Sequence, residues 1–286
     1  MSALGHLVLL PVPLDPEQSP LEVLPPATRG HFERIDVFVV ENAKAARRFL
    51  GPLVGGRPLQ SLELVEWNAN QRRLSPDEAL APLRRGVDVG LLSEAGCPAV
   101  ADPGADLVAA AHRLGARVVP AVGPSALLLA LMASGMGGQR FAFVGYLPSE
   151  ADARKAALRE LERRSAADDE TILFIETPYR NQVMVEAALE CLAPDTLFMS
   201  ASALSLATER IVSRPLTEWR KAGIEAAVEE VDRRTPAVFG LKAAAVPGRA
   251  GSAKGRRGAG VEGAVERRAQ ARRKPRAHLP RKPLGD

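Results

Sequence analysis

Seven short runs of contiguous apolar residues, separated by helix-patterned segments, constrain the fold of this chain more than any other feature. They are His6–Val12, Ile35–Val40, Val87–Leu92, Ala116–Ala121, Thr171–Ile175, Thr196–Ala201 and Ala237–Ala243. Several are unbroken Val/Leu/Ile stretches rather than alternating ones, the pattern of strands covered on both faces, as in a parallel sheet. Between them, Ser75-Pro76-Asp77-Glu78 forms a capping box with proline at the first helical position, which predicts a helix to about Arg85 stopped by Gly86. Asp106–Leu114 places Leu107, Val108, Ala111 and Leu114 on one face, and Gly115 supplies the stop. Ser125–Ser134 is nearly all apolar, so that helix is expected to be buried or to lie at an interface. Alternating strands and helices argue for an α/β protein. Six prolines between Pro11 and Pro26 predict a long irregular loop after the first strand. A second loop is expected at Gly135–Gly138, followed by an extended piece, Phe141–Tyr146.

The 286 residues leave room for two small domains or one large one. Aromatics make up 4% of the chain, so Leu, Val and Ala must fill the core. No apolar window reaches the roughly 18–20 residues needed to span a bilayer. Leu7–Val12 is too short for a signal segment and lacks a basic lead. Cys97 and Cys191, the two cysteines, argue against a disulfide scaffold and show no metal-ligand spacing. His6, His31, His112 and His278 show none either. The expectation is a cytoplasmic protein with no metal and no membrane association. Trp67 and Trp219 read as packing residues, and Cys97 as a small buried thiol.

Charge is unevenly spread. Residues 249–286 hold twelve Lys/Arg and three acids, a net +9 in a chain of net +4, which leaves −5 on the rest. Few large apolar residues lie beyond Gly248, so this stretch reads as disordered, with a transient helix over Glu262–Arg273. A flexible basic arm gains affinity for RNA by displacing condensed counterions from phosphates. It has no aromatic residue for base stacking. The alternative is a solvated tail that maintains solubility.

Three strand-to-helix turns carry the chemistry. Ser93-Glu94-Ala95-Gly96-Cys97-Pro98 runs on to Asp102-Pro103-Gly104, after an apolar strand and before a helix. Ligands in open α/β sheets bind outside the carboxyl ends of strands, and small residues let main-chain groups approach them. Asp102 could cap the following helix, with Pro103 in its first turn. Gly123-Pro124-Ser125-Ala126 repeats that arrangement, and Glu176-Thr177-Pro178-Tyr179-Arg180 adds charge and an aromatic ring. Each has a plainer reading: a well-formed turn, a helix cap, or a local Glu176–Arg180 pair. None matches the dinucleotide fingerprint of spaced glycines.

Taken together, these segments resemble a known family. Leu92–Pro98 with Asp102–Gly104 is similar to the S-D-A-G-T-P…S-D-P-G signature of the small-subunit ribosomal RNA cytidine 2′-O-methyltransferases, within the tetrapyrrole methylase superfamily. Val119–Ala126, Phe141–Pro148 and Phe174–Arg180 resemble further motifs of that family, in the same order and at matching intervals, from residue 6 to about 243. The resemblance implies two α/β domains, expected at residues 1–121 and 122–246, a basic tail at 247–286, and a homodimer. It implies S-adenosylmethionine in the interdomain cleft. By position, Pro11, Glu94, Ala95, Gly96, Asp102, Pro103 and Gly104 would line its pocket from the first domain. Gly123, Pro124, Ser125, Ala126, Glu176, Thr177 and Arg180 would line it from the second. The implied partner is small-subunit ribosomal RNA. No catalytic base is named by the sequence.

Departures from the family pattern gather on the side of the cleft where the resemblance puts the substrate. Pro13-Leu14-Asp15-Pro16-Glu17 lacks the family's Gly-Asn pair, and Glu41-Asn42-Ala43-Lys44 stands where the family has E-D-T-R. Ala203–Glu209 lacks the basic residues of a later motif, and Cys97 replaces a threonine. Two other readings therefore stand beside the RNA methyltransferase: an enzyme for a tetrapyrrole or other small molecule, and an inactive paralogue that binds the cofactor.

Overall fold

The structure is a computed structural model that describes residues 3–67, 74–229, 231 and 234–244. The expected tail and its transient helix lie outside these residues. Residues up to Ala244 form one compact unit containing two five-stranded sheets.

The first sheet is built from β1 (Leu7–Leu10), β2 (Val37–Val40), β3 (Glu63–Glu66), β4 (Val89–Leu92) and β5 (Val118–Pro120). Its order is β3-β2-β4-β1-β5, and every pair is parallel. Helices α1 (Pro20–Val23), α2 (Pro26–Phe32), α3 (Ala43–Leu50), α4 (Pro76–Ala79) and α5 (Ala105–Leu114) alternate with these strands. Val8, Leu10, Phe38 and Val40 pack with Phe32 and Leu50 in one core. Leu7, Val37, Val39 and Leu91 pack with Leu83 and Leu107 in another. Two covered faces explain the contiguous apolar runs.

The second sheet comprises β6 (Phe141–Tyr146), β7 (Thr171–Glu176), β8 (Leu197–Ser202), β9 (Arg210–Pro215) and β10 (Ala237–Lys242), in the order β6-β7-β10-β8-β9. Only β6 and β7 run parallel; the other three pairings are antiparallel. The parallel arrangement suggested by the sequence holds for the first sheet and fails for the second. Burial on both faces writes the same apolar run whichever way a strand points, and β7, β8 and β10 are buried on both. The helices of this half are α6 (Ala126–Ser134), α7 (Ala151–Asp168), α8 (Asn181–Cys191), α9 (Leu216–Lys221) and α10 (Ile224–Glu229). The scarce aromatics concentrate here. Phe174, Phe239 and Phe198 form a stacked row with centroids 5.7 and 5.8 Å apart, and Trp219 meets Phe198 edge-on. Trp219 Nε1 donates to Phe198 O at 3.1 Å, satisfying its buried N–H.

Local signals mostly act as read. Ser75 Oγ accepts from Glu78 N at 3.3 Å, and the Glu78 carboxylate accepts from Ser75 N at 2.7 Å. The α-helix stops at Ala79 and continues as a 3-10 helix over Ala81–Arg85, because Pro82 brings no N–H. Gly86 and Gly115 end their helices at φ 78° and 79°. Two expectations need correction. Gly104, not Asp102, is the N-cap of α5. The proline-rich loop contains α1 and α2, whose first positions Pro20 and Pro26 occupy. Of the two alternatives for the apolar α6, complete burial does not hold: Leu128 is 52% and Met132 80% exposed. Edge strands β3 and β9 carry charged or proline residues and gave no apolar run.

Gly90 lies where β4 passes two core side chains. A Cβ there would sit 2.7 Å from Phe38 Cδ1 and 2.9 Å from Leu10 Cδ1. Gly90→Ala is expected to destabilise the protein by about 1–3 kcal/mol through overpacking. Calorimetry should show a melting temperature lowered by several degrees relative to wild type.

Candidate functional site

In the first sheet the chain leaves β1 and returns as β2 on one side of β4, whereas β5 lies on the other side of β1. That reversal opens a crevice at the carboxyl ends of the strands. Three exits are sewn together there. Val12 N donates to Gly96 O at 2.9 Å, joining the segment after β1 to the turn after β4. Ser93 Oγ holds that turn by donating to Gly96 O at 3.2 Å. Gly123, on the exit from β5, lies flat against Pro11, where a Cβ would come within 2.4 Å of the proline ring. Thr28 Oγ1 fixes the same exit by donating to Val122 O at 2.6 Å. Cys97 Sγ donates to Pro124 O at 3.4 Å.

The second sheet supplies the opposing wall. The resulting cleft has a volume of about 650 Å³. Its first-sheet side includes Glu94–Cys97 and Val100–Asp102; Ser125–Leu127 come from the start of α6. The far side comes from Tyr146, Ile175, Glu176, Ala201, Ala203, Leu204 and the entry into β10, Arg234–Val238. The segment after β1 also crosses between the walls. Leu14 packs against the second core, and Gln18 and Ser205 exchange hydrogen bonds of 2.7 and 3.0 Å. A smaller cavity of about 90 Å³ adjoins the cleft and shares Asp15, Pro16, Ala45 and Glu94 with it.

The backbone around the cleft is strained. Ala99, Ala101, Ala203 and Ser205 have φ of 64°, 63°, 48° and 69°, a region costly for residues bearing a Cβ. Winding through Ala99 and Ala101 turns Asp102 into the cleft instead of onto the end of α5.

The site is acidic. Burial, then Glu41 and Glu94, push the Asp102 carboxyl up to about 6. Burial also raises Glu41, whose carboxylate accepts from Glu94 N at 3.2 Å. Burial and then Asp102 raise the Cys97 thiol, so it stays protonated at neutral pH. Cys97 is half-buried and lines the cleft, not a buried filler as the sequence suggested. Tyr146 is raised by burial, then by Glu176 and Asp102.

Of the residues singled out in the sequence, Glu94, Ala95, Gly96, Asp102, Ser125, Ala126 and Glu176 line the cleft. Pro11 and Gly123 stand behind it as a packed pair, Pro124 supports Cys97, and Gly104 packs against Leu91. Pro103 is not among the lining residues. Thr177 N donates to Glu176 Oε1 at 2.8 Å. Arg180 pairs with the fully buried Glu176 at 2.9 Å and donates to the carbonyls of Leu147 and Pro148. The local Glu176–Arg180 pair therefore exists, as a support for a cleft carboxylate. The contributions of Tyr146, Ala201 and Arg234–Val238 were not anticipated, whereas Ala203, Leu204 and Leu206 belong to the divergent motif at Ala203–Glu209. Among the described residues no cluster of His, Cys, Asp and Glu could hold a metal, and no helix is long and apolar enough to cross a membrane.

Comparison with known proteins bears on this cleft. Residues 24–219 match the family described as Tetrapyrrole (Corrin/Porphyrin) Methylases. The chain is 30% identical over 218 residues to ribosomal RNA small subunit methyltransferase I of Escherichia coli O157:H7, covering 75% of this chain and 70% of that protein. It is 37% identical over 139 residues to the Pseudomonas aeruginosa protein of the same name, covering 49% of this chain and 48% of the relative. The methyltransferase CobJ superposes with a TM-score of 0.51 at 20% identity, covering 84% of this chain and 95% of that one. Uroporphyrin-III C-methyl transferase from Thermus thermophilus, complexed with S-adenyl homocysteine, gives 0.50 at 20%, covering 83% and 97%. At such identity these two structures speak for the fold alone.

The Asp102 carboxyl gives a stability test. Folded, it holds its proton to a higher pH than the unfolded value of 3.8. Its contribution to stability is full below about pH 4 and is lost as the pH rises through about 6. Asp102→Asn should remove this dependence. Allowing for solvent screening of a half-buried group, it should stabilise the protein at pH 7 by about 1 kcal/mol, or roughly 2–4 °C. Melting curves between pH 4 and 7 for both proteins check this; parallel curves would contradict it.

Proposed function

The chain belongs to the tetrapyrrole methylase family and is an S-adenosylmethionine-dependent methyltransferase, and we propose that its acceptor is a ribose 2′-hydroxyl of small-subunit ribosomal RNA. The relatives named for that ribosomal substrate support the acceptor, and the shape and charge of the cleft support the cofactor. One observation carries the reading. Strand exits from two sheets converge on a cleft of ligand size whose lining, among the described residues, sets Asp15, Glu94, Asp102 and Glu176 against a single cation, Arg234.

Those residues fit the cofactor. A cationic sulfonium and an α-amino group suit a carboxylate-lined cleft, and Gly96, which lines it, has no side chain to keep a ligand from the main chain. When bound, S-adenosylmethionine supplies an electrophilic methyl group. What remains for the protein is alignment, exclusion of water and management of one proton. In the proposed site, Glu94–Gly96, Asp102, Ser125, Ala126 and Glu176 hold the cofactor's polar groups. Pro11, Pro103, Gly104, Gly123, Pro124, Thr177 and Arg180 keep the three turns in place. Asp102, ionised at neutral pH and facing the cleft, takes the acceptor hydroxyl's proton.

The rest of the proposal follows the same lines. Residues 1–121 and 122–246 act as two domains that close on the cofactor. The exposed Leu128 and Met132 of α6 support a homodimer. The basic residues 249–286 contact RNA phosphates, and the protein works in the cytoplasm. An acceptor that is a tetrapyrrole or other small molecule is the second reading, favoured by the changed loops at Pro13–Glu17 and Asn42–Lys44.

Three measurements test it. Titration calorimetry should show stoichiometric binding of S-adenosylmethionine. Tritiated methyl groups should pass to unmethylated small ribosomal subunits, with a rate that rises with pH and levels off above about 6 in wild type. Asp102→Asn should lower kcat, measured with S-adenosylmethionine saturating, by about 10²-fold or more. Deleting residues 249–286 should make the dependence of RNA affinity on salt shallower. Cofactor binding with transfer to a tetrapyrrole and none to the ribosomal subunit would replace the proposed acceptor.

A further inference from the structure

Helix α3 sets positive charge beside an acidic site. Its sequence, Ala-Lys-Ala-Ala-Arg-Arg-Phe-Leu, has three cations and no acid. Ala46 and Leu50 face inward and are buried, whereas Lys44, Arg47 and Arg48 are exposed. The helix stands at the rim of the site: Ala45 lines both the large cleft and the small cavity, and Arg48 lines the small one. Behind that rim the lining is acidic, with Asp15, Glu41 and Glu94 around the small cavity and Glu94, Asp102 and Glu176 in the large cleft. Residues 1–248 carry a net −5.

A ribose whose hydroxyl enters this cleft has a phosphate on either side. The acidic lining repels both, so they must rest outside it, near a local excess of positive charge. We propose that the exposed face of α3 — Lys44, Arg47 and Arg48 — is the seat for the RNA phosphates that flank the acceptor ribose. This inference rests on the proposed RNA acceptor and adds where the backbone of that RNA lies. Arg48 pairs with Glu17 at 3.0 Å, both side chains largely exposed. Such a pair contributes about 0–1 kcal/mol, so a phosphate can displace the carboxylate. Contacts from these cations to phosphate oxygens position the strand and carry no sequence information, which is left to other contacts.

The test uses the full chain and an unmethylated small-subunit ribosomal RNA fragment, with affinity measured across a range of salt. Lys44→Glu/Arg47→Glu removes two contacts at the rim. Arg113→Glu/Arg117→Glu makes the same charge change at exposed positions near the amino-terminal end of β5, away from the cleft. Each phosphate contact adds about 0.7 to the slope of log affinity against log salt for single-stranded RNA. The rim variant should lose about 1.4 of that slope. The control should keep the wild-type slope, and both should bind S-adenosylmethionine as wild type does. An unchanged slope in the rim variant, or an equal loss in the control, overturns the seat on α3. Failure of the wild-type chain to bind the RNA at all would instead remove the acceptor on which the inference rests.

Discussion

The contact between Gly123 and Pro11 is the constraint on which the site depends. Two strand exits come so close that no side-chain carbon fits between them. With β1 and β5 paired from Leu7 to Leu9, their following segments must diverge or touch, and the bare α-carbon lets them touch. From there the chain turns into α6 and the second sheet, so the same contact sets where the far wall of the cleft begins. The Val12–Gly96 hydrogen bond adds the exit from β4, and Gln18 with Ser205 ties the first strand's exit to the opposite wall. The cleft is shaped by main-chain proximity, and its strained alanines are held by the structure around them.

Charge then divides the surface into inside and outside. Burial, and after it the repulsion between gathered carboxylates, makes Asp102 and Glu41 hold protons more tightly than free acids. A cationic ligand relieves that repulsion, and a polyanion increases it. The family resemblance predicts the cofactor, whereas the electrostatics say which parts of two ligands can go where. Glu176 shows how such a site is made tolerable. It is wholly buried; the Thr177 amide donates to one oxygen and Arg180 pairs with its charge from behind, the arginine itself also donating to the carbonyls of Leu147 and Pro148.

Much of this was legible in the residues. The buried strands, the capping box at Ser75, the glycine stops and the three turns all stand where patterning and turn chemistry put them, because each rests on a local cause. What could not be read was strand direction. A ligand crevice is expected at carboxyl ends, so attention fell on Glu94, Gly123 and Glu176. Since β10 runs antiparallel to its neighbours, it presents its amino-terminal entry, Arg234–Ala237, to the cleft. Strand β9 was missed for another reason: it is a polar edge strand without an apolar signature. Asp102 was taken for a helix cap because its spacing allowed it, and only the positive φ at Ala99 and Ala101 aims it elsewhere.

The position of β10 has a further consequence, for the order of assembly during synthesis. The first sheet has all its strands once residue 120 has emerged. The second cannot close until residue 242, because its central strand comes last and lies between two made much earlier. Until then β7 and β8 expose unpaired edges with large apolar side chains, a state open to mispairing with other chains. A nascent chain of this design therefore carries a finished half beside a vulnerable one for nearly half its length. Chaperone demand and sensitivity to premature stop codons should fall on the second half.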